Sequence, residues 1–239
     1  LTDTPIAETP VSVQKVPRQV IDDQNAFRVE DAIRNVSSVN TEITSIFTRG
    51  QETAFIRGFE TGNAFRNGFP TNATQRVDLA AVENVEVLKG PASILFGAIR
   101  PGGVINYQTK RARPEFFGEF RQTIGEYDKS RSTLDVNGAL TEDESLLGRV
   151  NIAYTDQESF RDEVFTERFM VAPTLTWRPT SDTEIIFDVS YSDEERPSRN
   201  DGVPFTFDGK PAGNADEFFN NPDLPPGEFT DIFAGYELS

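Results

Sequence analysis

Val85-Glu86-Val87-Leu88-Lys89-Gly90-Pro91-Ala92-Ser93-Ile94-Leu95-Phe96-Gly97, continuing three residues later as Pro101-Gly102-Gly103-Val104-Ile105-Asn106, is the stretch of this 239-residue sequence whose reading decides the fold. Val85 and Val87 read as one strand and Val104-Ile105 as another. Between them Gly90-Pro91, Gly97 and Gly102-Gly103 bracket a short apolar helix, with glycine at turns that a β-carbon would obstruct. A phosphate-binding loop is excluded, because the spacing from Gly90 to Gly97 is wrong and no Gly-Lys-Ser/Thr follows.

Upstream, the signals describe a small α/β unit from about Thr9 to Lys110. Val11 and Val13 alternate with Ser12 and Gln14 as a strand, and Pro17 then suits a helix start, where its missing N–H costs nothing. That first helix passes through Val20 and Ile21. Val29, Ala32, Ile33 and Val36 fall at i, i+3, i+4 and i+7, one face of a second helix turned toward a core. Phe55-Ile56 and Phe65-Arg66 read as short strands, Asn67-Gly68 as a tight turn, and Asp78-Leu79-Ala80-Ala81-Val82 as a helical turn with an acidic cap.

Downstream of Arg113-Pro114 the texture changes to five segments of about 9 to 11 residues that alternate apolar with polar or small residues. Their apolar sets are Phe116, Phe120 and Ile124; Leu134, Val136 and Leu140; Val150, Ile152 and Tyr154; Phe169, Val171, Leu175 and Trp177; and Ile185, Phe187, Val189 and Tyr191, the last opposed by Glu184, Asp188 and Ser190. Ile232, Ala234, Tyr236 and Leu238 begin a sixth. Alternation alone suits a soluble β-sandwich as well. Aromatics near both segment ends, and connections that alternate between short and long, favour a membrane barrel with short periplasmic turns.

Composition narrows the chemistry. Against 39 Asp plus Glu stand 23 Lys plus Arg, a net charge of −16 that repels phosphate backbones, so nucleic acid is not an expected partner. With no histidine and no cysteine there are no imidazole or thiolate metal sites, and no catalytic triad needing an imidazole base. Mean hydropathy is −0.46 and no apolar run approaches the roughly 20 residues of a membrane-spanning helix, a test that barrel strands escape. Acidic residues abound but form no paired constellation for a carboxylate-pair hydrolase. The chain begins at Leu1 without a signal peptide and reads as a mature or trimmed product.

The opening stretch resembles the plug signature of TonB-dependent receptors. Thr9-Pro10-Val11-Ser12-Val13, Val29-Glu30-Asp31-Ala32-Ile33 and Phe55-Ile56-Arg57-Gly58-Phe59 resemble the family's other plug landmarks, in the family's order. The resemblance implies an α+β plug domain over residues 1–112, followed over 113–239 by antiparallel strands of an incomplete transmembrane β-barrel, 22-stranded in the full-length family. It implies residence in the cell outer membrane, contact with its lipid, and no enzymatic activity. Its cargo would be a ferric siderophore whose iron arrives already chelated, so neither a metal site nor a cofactor is expected.

Within the family, Thr48-Arg49-Gly50 ahead of Ile56-Arg57-Gly58 resembles the ferrichrome and hydroxamate siderophore branch, although the loop from Phe69 to Val77 is shorter than in those receptors. The positions matching the family's ligand-facing plug loops are Arg49, Gly62, Asn63, Thr71 and Asn72, with Arg49 offering several fixed donors to hydroxamate and carbonyl oxygens. Phe205, Phe207 and Phe218 are candidates for an aromatic lid. Arg57, Glu86 and Lys89 are expected as breakable polar contacts between plug and barrel wall. Energy would come from the TonB–ExbB–ExbD complex through an N-terminal segment expected to precede Leu1. The plug signature is shared by receptors for cobalamin, haem and saccharides, and a plug-like signalling or binding module is a further alternative.

Overall fold

The computed structural model describes residues 12–41, 54–61, 64–71, 77–90, 101–197, 206, 208, 210–211, 213–214 and 226–238. The chain divides into two compact units, 1–110 and 111–239.

In the first unit the described elements are β1 (Ser12–Pro17), α1 (Arg18–Asp23), α2 (Val29–Ile33), β2 (Val39–Asn40), β3 (Phe55–Ile56), β4 (Phe59–Glu60), β5 (Phe65–Arg66), β6 (Phe69–Pro70), β7 (Val82–Lys89) and β8 (Gly103–Thr109). A five-stranded sheet has the order β1-β7-β8-β5-β6, and β2, β3 and β4 form a small second sheet. Pro17 caps α1 with an extended φ of −75°, as its ring dictates, and Ile21 turns inward. Val29, Ala32, Ile33 and Val36 are all buried in one cluster with Ile21, Ile56, Leu79, Val85, Val87, Ile105 and Tyr107. Each valine, leucine and isoleucine among them contributes about 1.5–3 kcal/mol by leaving water.

A 3₁₀ turn, Leu79–Ala81, begins under Asp78, whose carboxylate accepts from the Ala80 N–H at 2.8 Å. Arg18 ties α1 to this turn by donating to the carbonyls of Leu79 at 2.6 Å and Val82 at 2.8 Å. Gly103 lets β7 and β8 approach: its φ is +135°, and a β-carbon there would lie 2.0 Å from the Leu88 carbonyl oxygen. The apolar helix expected between Pro91 and Gly97 lies outside the described residues.

The second unit is a six-stranded antiparallel meander: β9 (Phe117–Ile124), β10 (Ser130–Ala139), β11 (Leu146–Glu158), β12 (Phe165–Thr180), β13 (Thr183–Arg196) and β14 (Gly227–Leu238), paired in chain order. Cross-strand register lines up one apolar row over all six strands, Phe120–Leu134–Ile152–Val171–Tyr191–Ile232. Successive side chains alternate faces, so every residue in that row shares one face of the sheet. It is the exposed one: Phe120 is 68% accessible and Ile232 is 73%. Arg131, Asp135, Asn137, Arg149, Asn151, Arg168, Thr174, Asp188 and Glu194 are buried on the other.

This is the inverse of a water-soluble sheet, and it matches the apolar-out, polar-in rule of outer-membrane strands. The outward sets expected from alternation are the ones found. Strand length is the correction, since β11, β12 and β13 run 13, 16 and 14 residues. Ladder pairing continues past the apolar band into polar ends such as Glu158 opposite Phe165 and Glu195 opposite Glu167, which apolar alternation does not mark. The connections at one end of the sheet are 140–145 and 181–182, and at the other 125–129, 159–164 and 197–226.

Candidate functional site

Two consecutive hairpins are neighbours in sequence of the positions expected to meet a ligand. Ala54-Phe55-Ile56-Arg57-Gly58-Phe59-Glu60-Thr61 and Ala64-Phe65-Arg66-Asn67-Gly68-Phe69-Pro70-Thr71 repeat Ala, Phe, Gly, Phe and Thr at equal spacing. Both turn through paired positive φ values, +54° and +84° at Arg57-Gly58 and +50° and +87° at Asn67-Gly68, the two-residue turn that follows the natural twist of a hairpin. They also close identically. The N–H and hydroxyl of Thr61 donate to the Ala54 carbonyl at 2.7 and 2.9 Å, and those of Thr71 to the Ala64 carbonyl at 2.9 and 2.8 Å.

A polar seam docks the second hairpin on the sheet. Asn67 and Thr109 exchange two bonds, Asn67 Nδ2 to Thr109 Oγ1 at 2.8 Å and Thr109 N–H to Asn67 Oδ1 at 2.9 Å. Gly68 N–H donates to Asn106 Oδ1 at 2.9 Å, and Asn106 Nδ2 passes the connection to Glu86 at 3.1 Å. Gln108 also donates to Glu86, at 3.2 Å, and accepts from Asn84 at 2.9 Å. Asn106, only 1% exposed, has both ends of its amide engaged, which spares it the cost of an unsatisfied buried polar group.

The first hairpin lies against a second polar cluster. Arg57 N–H donates to the Ser38 carbonyl at 2.9 Å, and a β-carbon on Gly90 would sit 3.6 Å from Arg57 Nη1. Lys89 Nζ donates to Gln14 Oε1 and to Ser37 Oγ, each at 2.9 Å, and also to the Ser37 carbonyl. Burial, and then the charge of Arg57, hold the Lys89 ammonium below the usual lysine range.

Of the predicted ligand residues, Arg49, Gly62, Asn63 and Asn72 lie outside the described residues, as do the candidate lid residues Phe205, Phe207 and Phe218. Thr71 is described: it is buried and its hydroxyl is committed to the Ala64 carbonyl. Glu86 and Lys89 direct the hydrogen bonds above to partners inside the first unit. Sequence reasoning read Asn67 as a turn residue only and assigned no role to Asn106 or Thr61, although the eight-residue repeat was a signal that would have found Thr61. Among the described residues no group of three acidic side chains is placed to hold a metal ion.

The second unit supplies a polar wall. Asp135 and Arg149 form a two-pronged ion pair at 2.9 and 2.8 Å, and Glu194 meets Arg196 at 3.2 Å and Arg168 at 3.7 Å. Buried charges that are paired in this way persist where lone ones would not. These paired charges make this face of the sheet a hydrogen-bonding surface.

An α+β unit followed by an antiparallel sheet with its apolar side outward defines the class of plugged outer-membrane receptors. The comparisons name the family. Residues 5–104 match the TonB-dependent Receptor Plug Domain family. The metal-pseudopaline receptor CntO of Pseudomonas aeruginosa is 38% identical over 189 residues, 77% of this chain and 26% of that protein. The ferrioxamine receptor of Yersinia enterocolitica is 30% identical over 213 residues, 85% of this chain and 29% of that protein. The crystal structure of the ferripyoverdine receptor of the Pseudomonas aeruginosa outer membrane, bound to ferripyoverdine, superposes with a TM-score of 0.85 over 97% of this chain and 32% of that one, at 27% identity.

This chain spans about a quarter of the length of the curated relatives it matches. It carries a TonB-dependent receptor plug domain followed by antiparallel strands of an unclosed barrel. Its place is the cell outer membrane, in a family of receptors and not of enzymes.

Proposed function

We propose that the chain serves in the TonB-dependent import of a ferric siderophore across the outer membrane. The observation that carries this reading is the reversed sheet, apolar face exposed and polar face buried, directly after a plug domain. A polar, hydrogen-bonding face on the strands that follow a plug domain suits passage of a polar chelate too large for free diffusion. The relatives named above include receptors for ferripyoverdine, ferrioxamine and metal-pseudopaline, which supports a metal chelate as cargo over a vitamin or a sugar.

A hydroxamate chelate is the first ligand to test, with Arg49, Gly62, Asn63 and Asn72 as its candidate contacts and the Thr71 hydroxyl already committed to Ala64. Iron comes with its own oxygen ligands, so the protein contributes donors and no metal site. TonB, with ExbB and ExbD, supplies the energy. Arg57, Glu86 and Lys89 would be contacts that hydration replaces as the plug yields. A second reading, a chelate carrying a metal other than iron, is favoured by the 38% identity to the metal-pseudopaline receptor.

The test is titration of the complete receptor with ferric hydroxamates, ferric catecholates, a nickel or zinc chelate, and cobalamin, followed by uptake in cells with and without TonB. Tight binding of one metal chelate and its TonB-dependent uptake are expected. Binding of cobalamin alone, or of no metal chelate at all, overturns the proposal.

A further inference from the structure

The segment joining the two units does not dangle. Asn137 of β10 is 1% exposed and spends its whole amide on that segment: Oδ1 accepts from the Arg113 N–H at 2.8 Å, while Nδ2 donates to the carbonyls of Arg113 at 3.0 Å and Glu115 at 2.6 Å. Pairing both the N–H and the C=O of one residue is what a neighbouring strand would do, here done by a side chain. On the next strand Arg149 donates from Nη1 to the Arg111 carbonyl at 3.0 Å. Its other nitrogens are fixed by Asp135, and its guanidinium lies 5.1 Å from the ring centre of Phe117 on β9. The Arg111 side chain then reaches Glu237 of β14 at 2.6 Å.

Residues 111–115 are thus held by side chains from β10, β11 and β14. Only Asn137 and the Asp135–Arg149 pair are buried, so they are the members that water weakens least. None of the three belongs to the ligand loops.

We propose that Asn137 and Arg149 are positioning residues for transport: they clamp residues 111–115 to the strands of the second unit, so that rearrangement of the plug during transport stops at Lys110. This rests on the transport reading above. Losing the clamp lets motion run on into β9, leaving ligand capture intact but slowing each import cycle.

The experiment places a nitroxide label at Glu115, which is exposed, in the complete receptor in outer-membrane vesicles, and compares the parent with Asn137→Leu and Arg149→Lys. Arg149→Lys keeps the charge opposite Asp135 but cannot serve both Asp135 and the Arg111 carbonyl. We expect a mobile label in both variants, unchanged affinity for the ferric siderophore, uptake reduced by about fivefold or more, and passage of a large antibiotic that the parent excludes. A label as immobile as in the parent, or a mobile label with parental uptake and exclusion, overturns the proposal. Should Asn137→Leu fail to assemble, Arg149→Lys decides by the same readings. If the parent transports no siderophore, the transport reading fails, while label mobility and antibiotic exclusion still report on the clamp.

Discussion

Ile33 and Arg149 are both buried, at 0% and 7% exposure, one in the first unit and the other in the second, and the two units around them obey opposite rules. In the first, the least accessible side chains among the described residues are Ile21, Ile33, Ile56, Leu79, Val85, Val87 and Leu88, and buried polar side chains such as Asn106 and Glu86 are tied into hydrogen bonds. In the second, Arg131, Asp135, Asn137, Asn151 and Asp188 are hidden while Phe116, Phe120, Ile124 and Trp177 stand outward. What differs is the solvent. The first unit is an object folded for water, and the second presents to hydrocarbon the face that a soluble sheet would hide.

Substitutions can break this contrast. Ile33→Asp puts a carboxylate in the apolar cluster of the first unit and should cost about 4 kcal/mol or more, read as loss of the folded plug in the receptor by hydrogen exchange of β7 and β8. In the second unit a charge is harmful only on the outward face. Val171→Arg, in the middle of the six-strand apolar row, should lower stability in lipid vesicles by roughly 2–4 kcal/mol, with Val171→Leu close to neutral in the same urea titration.

A smaller effect sharpens the contrast inside the plug. Because the Lys89 ammonium is held below the usual lysine range, the folded chain binds fewer protons than the unfolded one between the depressed value and the ordinary one. Plug stability should therefore rise with pH across that alkaline window. Calorimetric scans of the receptor and of its Lys89→Met variant should show the slope in the first and its loss in the second.

How much of this was legible in the sequence follows the same division. In the second unit alternation named the outward residues strand by strand, because period two is fixed by backbone geometry and survives any choice of solvent. The strand ends were not legible, since polar ladders such as Asp156 opposite Glu167 carry no apolar signal. In the first unit Asn67-Gly68 announced its turn, whereas Arg57-Gly58 adopts the same one without the asparagine that ordinarily marks it. The polar seam was least legible of all. Asn106 and Gln108 share a strand with Ile105 and Tyr107, and nothing local shows that their amides meet Glu86, twenty or more residues away in the chain.

The meander leaves β9 and β14 as its outer strands, each with one side not paired among the described residues. Bare N–H and C=O groups along such a margin find water at the membrane surface but nothing in hydrocarbon, where each would cost several kcal/mol. A sheet of this kind cannot cross a bilayer piecemeal. Its strands must find their remaining neighbours first, or be delivered by machinery that shelters both margins until the cylinder shuts.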